Sequence, residues 1–329
     1  MKGILDELIS HQPLTKESAH RVLVEVASGK YNPSQIASFM TIYMMRSITV
    51  GELQGFRDAM LELCVPVHFD APVMDVCGTG GDGKNTFNIS TLSAFVVAAA
   101  GQPVAKHGNY GVSSVSGSSN MLEHFGYSFT NNHDALKRNL EEANICFMHA
   151  PLFHPAMKNV APIRKELGVK TFFNMLGPMV NPAFPSKQLV GVFNLELARQ
   201  YGYLYQQTNK EYIILHSLDG YDEISLTGSF KMFSNSGEKL LDPIDLQMPK
   251  LKADEIRGGE TVEDAAHIFL NILQGKGTDQ QKSVVVANAS MALFAANQTQ
   301  GMEMARSRAE EALESGRAYT SFKKLLNQQ

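Results

Sequence analysis

A short apolar run at residues 73–77 leads directly into the glycine-rich loop 78–83, and this order constrains the fold of the chain more than any other feature. A second apolar stretch at 92–100 follows a few small polar residues. The order predicts a strand, a tight loop and a helix. Glycines allow close backbone approach and positive φ, while the positive end of a helix dipole attracts anions. We therefore expect this loop to bind a phosphate group.

Two other glycine motifs match the same loop in part. Residues 78–83 satisfy the dinucleotide pattern G-x-G-x-x-G, but Lys106 stands about twenty positions on, where an acidic residue should hold a ribose hydroxyl. Lys84 completes most of a P-loop, yet Asn85 stands where a Ser or Thr should coordinate magnesium. A tight turn without a ligand is the third alternative.

A second polar loop follows the next short apolar run, at 103–105, and contains Lys106, His107, Gly108 and Asn109. The serine-rich segment 113–119 then leads into a helix predicted from about residue 120 to 124. Because parallel strands bring their carboxyl ends to one edge of a sheet, both loops are expected at one ligand site. Taken alone, the second loop would be an ordinary polar turn.

Two adjacent carboxylates, Asp222 and Glu223, follow the apolar run 212–215 and a turn at 219–220. They are expected on a further strand-end loop, where adjacent carboxylates can hold a hard cation such as Mg²⁺. Considered without other information, a solvated acidic turn is the favoured interpretation.

Arg164 is a candidate ligand-binding residue because of its helical spacing. Residues 155–167 are predicted to form one helix bent at Pro162, and Arg164 then lies within the apolar stripe of that helix. A guanidinium directed inward needs an anionic partner, because an unpaired buried charge costs several kcal/mol. The partner is either an internal carboxylate or an anionic ligand.

Residues 1–66 are predicted to form a small helical domain. Thr15 is a candidate helix cap, and Asn32 with Gln35 and Thr49 with Glu52 have the pattern of helix starts. One helix face carries the apolar residues Ile36, Phe39, Met40, Tyr43 and Met44, a pattern typical of core packing.

Residues 67–329 are predicted to form an α/β domain, because strand-like and helix-like segments alternate there. Part of 155–180 is expected to pack on the helical domain. Strands are expected at 188–194, 211–216 and 283–288, and a single closing helix at 305–326.

Composition argues against several classes of protein. The net charge of −4 and the lack of basic runs argue against nucleic acid or an anionic membrane as partner. The 3 cysteines are widely spaced in apolar contexts, which predicts reduced, buried thiols. No apolar run approaches about eighteen residues, and residues 1–7 lack a signal-peptide core, so a cytoplasmic protein is expected.

These motifs together resemble the anthranilate phosphoribosyltransferase family. Members carry a GTGGD loop that continues into N-I-S-T, here residues 78–82 and 88–91, a KHGN loop, here 106–109, and an S-G-S helix start, here 116–118. The resemblance extends from about residue 2 to about residue 325. Tyr110 and Val115 depart from it, because many members have Arg and Lys at these positions.

The resemblance implies the nucleoside phosphorylase and phosphoribosyltransferase type of α/β fold. In that fold a small N-terminal helical domain joins a larger domain whose central, mostly parallel sheet is flanked by helices. It also implies a homodimer formed through the helical domain. The implied reaction moves the phosphoribosyl group of 5-phosphoribosyl 1-pyrophosphate (PRPP) to the amine of anthranilate, a step of tryptophan biosynthesis.

The resemblance also implies roles for individual residues. Two magnesium ions per subunit would be held by Ser90, Asp222 and Glu223, and catalysis would depend on Lys106 and the two carboxylates. Anthranilate would contact Gly78, Asn109 and Arg164. PRPP would contact Gly78, Gly81, Asp82, Thr86, Asn88, Ile89, Ser90, Thr91, Lys106, His107, Gly108, Asn109, Ser114 and Ser118.

Two alternative functions are weighed against this one. A pyrimidine nucleoside phosphorylase shares the fold and the dimer arrangement, but it lacks the GTGGD loop with N-I-S-T and the magnesium pair. A non-catalytic, nucleic-acid-binding paralogue is opposed by the intact glycine loop, the intact Asp222–Glu223 pair and the acidic net charge.

Overall fold

The computed structural model describes residues 1–111 and 115–327. The chain divides into two compact units, the first made of Met1–Val67 and Ala150–Pro182, and the second of His68–His149 and Ala183–Gln329. We call them the helical unit and the α/β unit.

The described elements have the following bounds. The α-helices are α1 (Lys2–Ile9), α2 (Lys16–Ala27), α3 (Pro33–Met45), α4 (Val50–Glu62), α5 (Ile89–Ala99), α6 (Ser118–His124), α7 (His133–Ala143), α8 (Ala150–Phe153), α9 (Ala161–Leu167), α10 (Phe173–Leu176), α11 (Leu195–Tyr205), α12 (Val262–Leu273), α13 (Asp279–Ala296), α14 (Gly301–Glu314) and α15 (Arg317–Leu326). The strands are β1 (Met74–Gly78), β2 (Val104–Gly108), β3 (Ile145–His149), β4 (Lys187–Gly191), β5 (Glu211–Ser217), β6 (Phe230–Ser234) and β7 (Gly237–Leu241). Short 3-10 helices lie at Pro155–Asn159, Gly177–Met179, Pro243–Leu246, Ala253–Ile256 and Gln298–Gln300.

Helices of the helical unit begin where local capping chemistry predicts. The Thr15 side chain caps α2, while Asn32 with Gln35 and Thr49 with Glu52 form capping boxes at α3 and α4. Each box satisfies two backbone donors that a helix start leaves free. These three predictions are confirmed.

An aromatic cluster forms the core of the helical unit. Phe172 stacks on Phe56 with ring centroids 4.6 Å apart, and lies 5.9 Å from Phe39 and 5.2 Å from Tyr43. Residues on the predicted apolar face of α3 are buried, except that Met44 is 44% exposed. Segment 150–182 therefore contributes to the same core as the N-terminal helices.

The prediction of one bent helix over 155–167 is wrong. A 3-10 helix spans Pro155–Asn159, and α9 starts afresh at Ala161 with Pro162 in its first turn. Proline is tolerated there because the first-turn N–H groups have no partner within the helix. The helical segment is therefore interrupted before Pro162 and is not a single helix bent at the proline.

A seven-stranded sheet organises the α/β unit, in the order β3-β2-β1-β4-β5-β6-β7. Strands β1 to β5 are parallel, while β6 and β7 are antiparallel. On one face, Val76 of β1 joins the hydrophobic core that α5 and α13 cover. On the other, the ring of Tyr212 of β5 lies 5.3 Å from Tyr205 of α11. The predicted α/β fold with a mostly parallel, helix-flanked sheet is confirmed.

The strand order places a crevice between β1 and β4. The sheet grows from β1 through β2 to β3 on one side, and β4 is added on the other side of β1. Gly78 pairs with Gly191 at the carboxyl ends of these two strands. In parallel sheets, ligands bind at the carboxyl edge where the strand order reverses. The glycine loop therefore begins at the favoured position.

Two further predicted elements are wrong. Residues 283–288, predicted as a strand, lie inside the 18-residue helix α13, whose start at Thr278 is fixed by a capping box with Gln281. The tail is two helices, α14 and α15, separated at Gly316 with φ of +74°.

The cysteines Cys64, Cys77 and Cys146 are buried, free thiols. Across residues 1–111 and 115–327, the helices are too short or too polar for any of them to cross a membrane.

Candidate functional site

The glycine loop has the backbone conformation that its sequence predicts. Gly80, Gly81 and Gly83 have φ of +62°, +77° and +75°, a region that side chains disfavour. A Cβ at Gly78 would lie 2.5 Å from Oδ2 of Asp222. The loop is therefore restricted to glycine both by conformation and by close packing.

The glycine loop also contains two polar side chains, those of Asp82 and Thr79. Oδ1 of Asp82 accepts the N–H of Lys84 at 2.9 Å. The hydroxyl of Thr79 is buried and has no hydrogen-bond partner among the residues that the structure describes. Sequence reasoning missed Thr79, because threonine in a polar loop carries no specific signal.

The structure brings together the three residues predicted to bind metal. The N–H of Gly80 donates to Oδ2 of Asp222 at 2.7 Å, and the N–H of Ser90 donates to Oε1 of Glu223 at 2.9 Å. The acidic pair thus bridges the glycine loop and the first turn of α5. A small pocket is lined by Ser90, Asp222 and Glu223, among other residues.

Electrostatics at the pair favour a bound cation. Burial, followed by the charge of Asp82, raises the pKa of Asp222 to about 7. Burial, followed by the charge of Asp222, raises the pKa of Glu223 well above its ordinary value. The raised pKa values mean that burial and neighbouring negative charge both disfavour the ionised pair. A divalent cation would supply compensating positive charge.

The donor set fits magnesium shared with a ligand. Carboxylate oxygens are the ligands that Mg²⁺ prefers, usually one or two per ion with waters and substrate phosphates. In the described ranges, no group of three or more His, Cys, Asp or Glu side chains could hold a metal by itself. The pair Asp222 and Glu223 therefore suits an ion whose other ligands come from phosphate or water.

Lys106 and His107 do not lie in a loop as predicted, because β2 continues through Gly108. Lys106 is 2% exposed, and its ammonium donates to the carbonyl of Val76 at 2.5 Å. Burial lowers the pKa of Lys106, while the charges of Asp75, Glu223 and Asp222 oppose that shift. Its positive charge thus lies inside the sheet behind the strand ends.

Hydrogen bonds join the second loop to the first. The side-chain amide of Asn88 donates to the carbonyl of Ser116 at 2.9 Å. The carbonyl of Asn109 accepts the N–H of Ser119 at 3.1 Å and, at 3.4 Å, the hydroxyl of Ser118. Both loops therefore form one polar surface at the carboxyl edge, as predicted. The predicted ligand residue Ser114 lies outside the described residues.

Close packing at Gly108 and an aromatic contact at Tyr110 shape the same loop. A Cβ at Gly108 would lie 2.4 Å from Oγ of Ser118. The ring of Tyr110, which departs from the family pattern, meets His149 edge-on with centroids 4.8 Å apart.

Other predicted PRPP contacts sit at the start of α5. Ile89 and Thr91 are each 1% exposed, and the N–H of Ile89 donates to the carbonyl of Phe87 at 2.6 Å. Thr86 forms an isolated antiparallel bridge with Arg257, and the Asn85 side chain donates to the carbonyl of Gly259 at 2.8 Å. This segment is therefore anchored to 257–259.

Arg164 lies on α9 of the helical unit and is half-buried. Its guanidinium donates to Oδ1 of Asn174 at 3.2 Å and lies 5.5 Å from the centre of the Phe173 ring. Among the described residues, its Nε has no hydrogen-bond partner and no carboxylate forms an ion pair with it. The inward direction is confirmed, and the internal carboxylate considered as an alternative is not found there.

Sequence reasoning missed two residues that fix the acidic pair. A Cβ at Gly191 would lie 1.4 Å from the carbonyl oxygen of Asp222, so no side chain fits there. The amide of Asn288 accepts the N–H of Ile224 at 3.0 Å and donates to its carbonyl at 2.8 Å. A glycine ending a buried strand could have been noticed, but Asn288 lay in the segment wrongly predicted as a strand.

Comparison with known proteins connects this site to a family. Residues 70–319 match the α/β domain of a glycosyl transferase family, and residues 2–64 match the helical bundle domain of such a family. The anthranilate phosphoribosyltransferases of Flavobacterium psychrophilum and Christiangramia forsetii are each 59% identical to this chain, covering 99% of it and 98% of their own length.

Solved structures agree with these relatives. Anthranilate phosphoribosyltransferase from Thermus thermophilus superposes with a TM-score of 0.91 at 31% identity, covering 98% of both chains. The Saccharomyces cerevisiae enzyme in complex with PRPP and Mg superposes with a TM-score of 0.90 at 26% identity, covering 98% of this chain and 96% of that one. These relatives favour the main interpretation over a nucleoside phosphorylase or a non-catalytic paralogue. The chain belongs to the anthranilate phosphoribosyltransferase family.

Proposed function

We propose that this protein transfers the phosphoribosyl group of PRPP to the amine of anthranilate, giving N-(5-phosphoribosyl)anthranilate and pyrophosphate. The proposal rests on two hydrogen bonds that hold the acidic pair in place. The N–H of Gly80 in the glycine loop donates to Asp222, and the N–H of Ser90 in α5 donates to Glu223. A glycine-rich backbone that could bind phosphate and a carboxylate pair that could hold a metal are thereby joined at the carboxyl edge of the sheet. That combination suits a substrate that carries pyrophosphate.

Magnesium would be held by Asp222, Glu223 and Ser90, with two ions per subunit. Support comes from the raised pKa values of the carboxyl groups and from the yeast relative, which was solved with PRPP and Mg. Bound there, the ions would neutralise charge that develops on the departing pyrophosphate.

The protein's own groups would contribute mainly by position and charge. The glycine loop, with Gly80, Gly81 and Gly83 in left-handed conformations, would let the phosphates approach the backbone closely. Lys106 would act through its buried positive charge, which lies close enough to influence both carboxylates. An aromatic amine is already a neutral nucleophile, so orientation of the two substrates matters more than a strong base.

Arg164 would bind the carboxylate of anthranilate. A half-buried guanidinium without a carboxylate partner among the described residues, lying over Phe173, offers charge and an aromatic face to a flat aromatic acid. Asn109 and Gly78 would supply further contacts. PRPP would contact the two loops at the residues given above, within the α/β domain 67–329.

Three broader properties complete the proposal. We place the protein in the cytoplasm and in tryptophan biosynthesis, in keeping with its relatives' activity and with its buried, free thiols. We also propose a homodimer through the helical domain 1–66, where Met44 and Met45 are 44% and 83% exposed.

A direct assay tests the proposed reaction. Anthranilate is fluorescent, and its fluorescence should fall when PRPP and Mg²⁺ are both added to the protein. Omitting PRPP, or chelating magnesium, should each prevent the loss. No fluorescence change under saturating substrates, together with consumption of a pyrimidine nucleoside and phosphate, would instead establish the phosphorylase alternative.

A further inference from the structure

The lysine of the incomplete P-loop pattern has no role in the function described so far. Lys84 directly follows the three glycines with positive φ, and its N–H is fixed by Oδ1 of Asp82 at 2.9 Å. Its backbone is therefore part of the phosphate-binding turn. The position resembles that of a P-loop lysine, which reaches the phosphates of its ligand.

The side chain of Lys84 is directed toward the turn that precedes the acidic pair. Its ammonium lies 4.7 Å from the centre of the Tyr221 ring, and Tyr221 immediately precedes Asp222. The lysine stem passes beside Gly220, because a Cβ there would be in ordinary contact with Cε of Lys84 at 3.4 Å. The positive charge is thus held between the glycine loop and the turn that carries the metal-binding pair.

Within the part of the chain that the structure describes, this ammonium lacks an anionic partner. No carboxylate among residues 1–111 and 115–327 forms an ion pair with Lys84. An ammonium has three N–H donors, and the face of an aromatic ring attracts the charge without satisfying those donors fully. Lys106, the other lysine of the site, is buried and already donates to Val76. Lys84 is the better placed of the two to reach a ligand.

We infer that Lys84 binds the pyrophosphate group of PRPP, and the pyrophosphate product, beside the glycine loop. The inference rests on the proposed function. Pyrophosphate is favoured over the 5-phosphate because Lys84 lies against the residue next to Asp222, and the metal-bearing end of the substrate is the pyrophosphate. Asn85 cannot take the magnesium-binding role of a P-loop hydroxyl, so lysine and metal ligands come from different segments.

The chain offers a closely matched control. Lys323 on α15 lies 4.7 Å from the centre of the Tyr319 ring, the same cation–π distance. Its helix packs against α5 and α7, and Lys323 is exposed. Lys323→Gln therefore removes an equal charge and a similar ring contact without touching the loop.

Calorimetry with Mg²⁺ and inorganic pyrophosphate tests the inference. Lys84→Gln should bind pyrophosphate about tenfold more weakly than the parent. This is the smallest loss expected on removing a charge-assisted hydrogen bond, and it applies here because the lysine side chain is only half-buried. Lys84→Arg should stay within about threefold of the parent, since it keeps the charge. Lys323→Gln should match the parent, and the KM for PRPP should rise in Lys84→Gln while that for anthranilate stays unchanged.

Ribose 5-phosphate separates the possible outcomes. Its affinity should be the same in Lys84→Gln and the parent, and an equal loss for both ligands would overturn the assignment to pyrophosphate. Parent-like pyrophosphate affinity in Lys84→Gln would overturn the inference altogether. A parent protein that binds neither PRPP nor pyrophosphate would instead contradict the proposed function, and this result requires no variant.

Discussion

Among single residues, Gly81 best separates ligand binding from stability. Its φ of +77° would cost an alanine roughly 1 kcal/mol of strain. We expect Gly81→Ala to lose measurable PRPP binding in calorimetry, because the methyl group blocks close approach of the pyrophosphate, while its Tm stays within about 4 °C of the parent. Gly101→Ala, at φ of +94° in the turn after α5, is the control for strain alone. Unchanged PRPP affinity in Gly81→Ala would mean that the loop has another ligand.

Asp222 links stability to pH. Its pKa is raised from 3.8 to about 7 by burial and by the charge of Asp82. The folded protein therefore holds this proton more tightly than the unfolded chain does. The corresponding stabilisation is complete below about pH 4 and is lost as the pH rises through about 7. At neutral pH without metal, the ionised carboxylate destabilises the fold.

Asp222→Asn should remove the loss of stability at high pH, because asparagine does not ionise. The metal-free variant is expected to melt at or above the parent at about pH 8, with a smaller advantage at about pH 5, while magnesium-dependent turnover collapses. Thermal unfolding at both pH values, beside a magnesium titration of activity, measures the two effects. A variant with near-normal turnover at ordinary Mg²⁺ would remove Asp222 from the metal site.

We expect Arg164 to govern discrimination between the two substrates. Arg164→Ala should raise the KM for anthranilate tens-fold and leave the KM for PRPP nearly unchanged, because a charge-assisted contact is worth about 2–3 kcal/mol. Lys165→Ala, an exposed neighbour on the same helix, controls for loss of positive charge. A parallel rise in both constants would indicate damage to the fold instead of loss of a specific contact.

Residue types at the site could be predicted, but their orientations could not. The residues alone favour a solvated acidic turn at Asp222 and Glu223, whereas the family resemblance implies that this pair binds metal with Ser90. The structure brings the three residues together. The sequence predicts Lys106 in a loop, yet its ammonium donates a hydrogen bond to a backbone carbonyl of β1. The direction of the Lys106 side chain depends on where β2 ends. A polar residue within a strand does not show locally where that strand ends.

At the scale of elements, short-range chemistry was the reliable guide. The capping boxes at α3 and α4 involve residues three apart in the chain, so the sequence contains all the information they need. Helix α13 was missed because it is apolar on nearly every side and buried. Periodicity cannot separate such a helix from a buried strand when only a short run is considered.

Helix α13 should influence magnesium use through Asn288. Asn288→Leu removes both hydrogen bonds to Ile224, leaving buried backbone groups unpaired at about 1–3 kcal/mol each. We expect a lower Tm and a higher magnesium requirement, because the turn carrying Asp222 and Glu223 loses its support. Ser290→Ala, equally buried on α13 but bonded within its own helix, should change neither the magnesium requirement nor PRPP affinity. A normal magnesium requirement in Asn288→Leu would show that the turn holds its shape unaided.

At the scale of the whole molecule, apolar surface on the helical unit bears on assembly. Ile9, Met44 and Met45 are 65%, 44% and 83% exposed, on the neighbouring helices α1 and α3. Met45→Glu should convert the proposed homodimer to a monomer in light scattering, because a charge at an apolar interface is not compensated. Met304→Glu, on α14 with 54% exposure, should leave the mass unchanged. A monomeric parent would rule out the dimer.

Segment 150–182 interrupts the α/β unit along the chain, yet its Phe172 completes the aromatic core with Phe39 and Phe56. A chimera that takes only residues 1–67 from a relative would combine the N-terminal helices of one protein with the Phe172-bearing segment 150–182 of another. Because such packing depends on matched shapes, most of these hybrids should fold poorly. We therefore expect a chimera that exchanges residues 1–67 together with 150–182 to fold better than one that exchanges residues 1–67 alone.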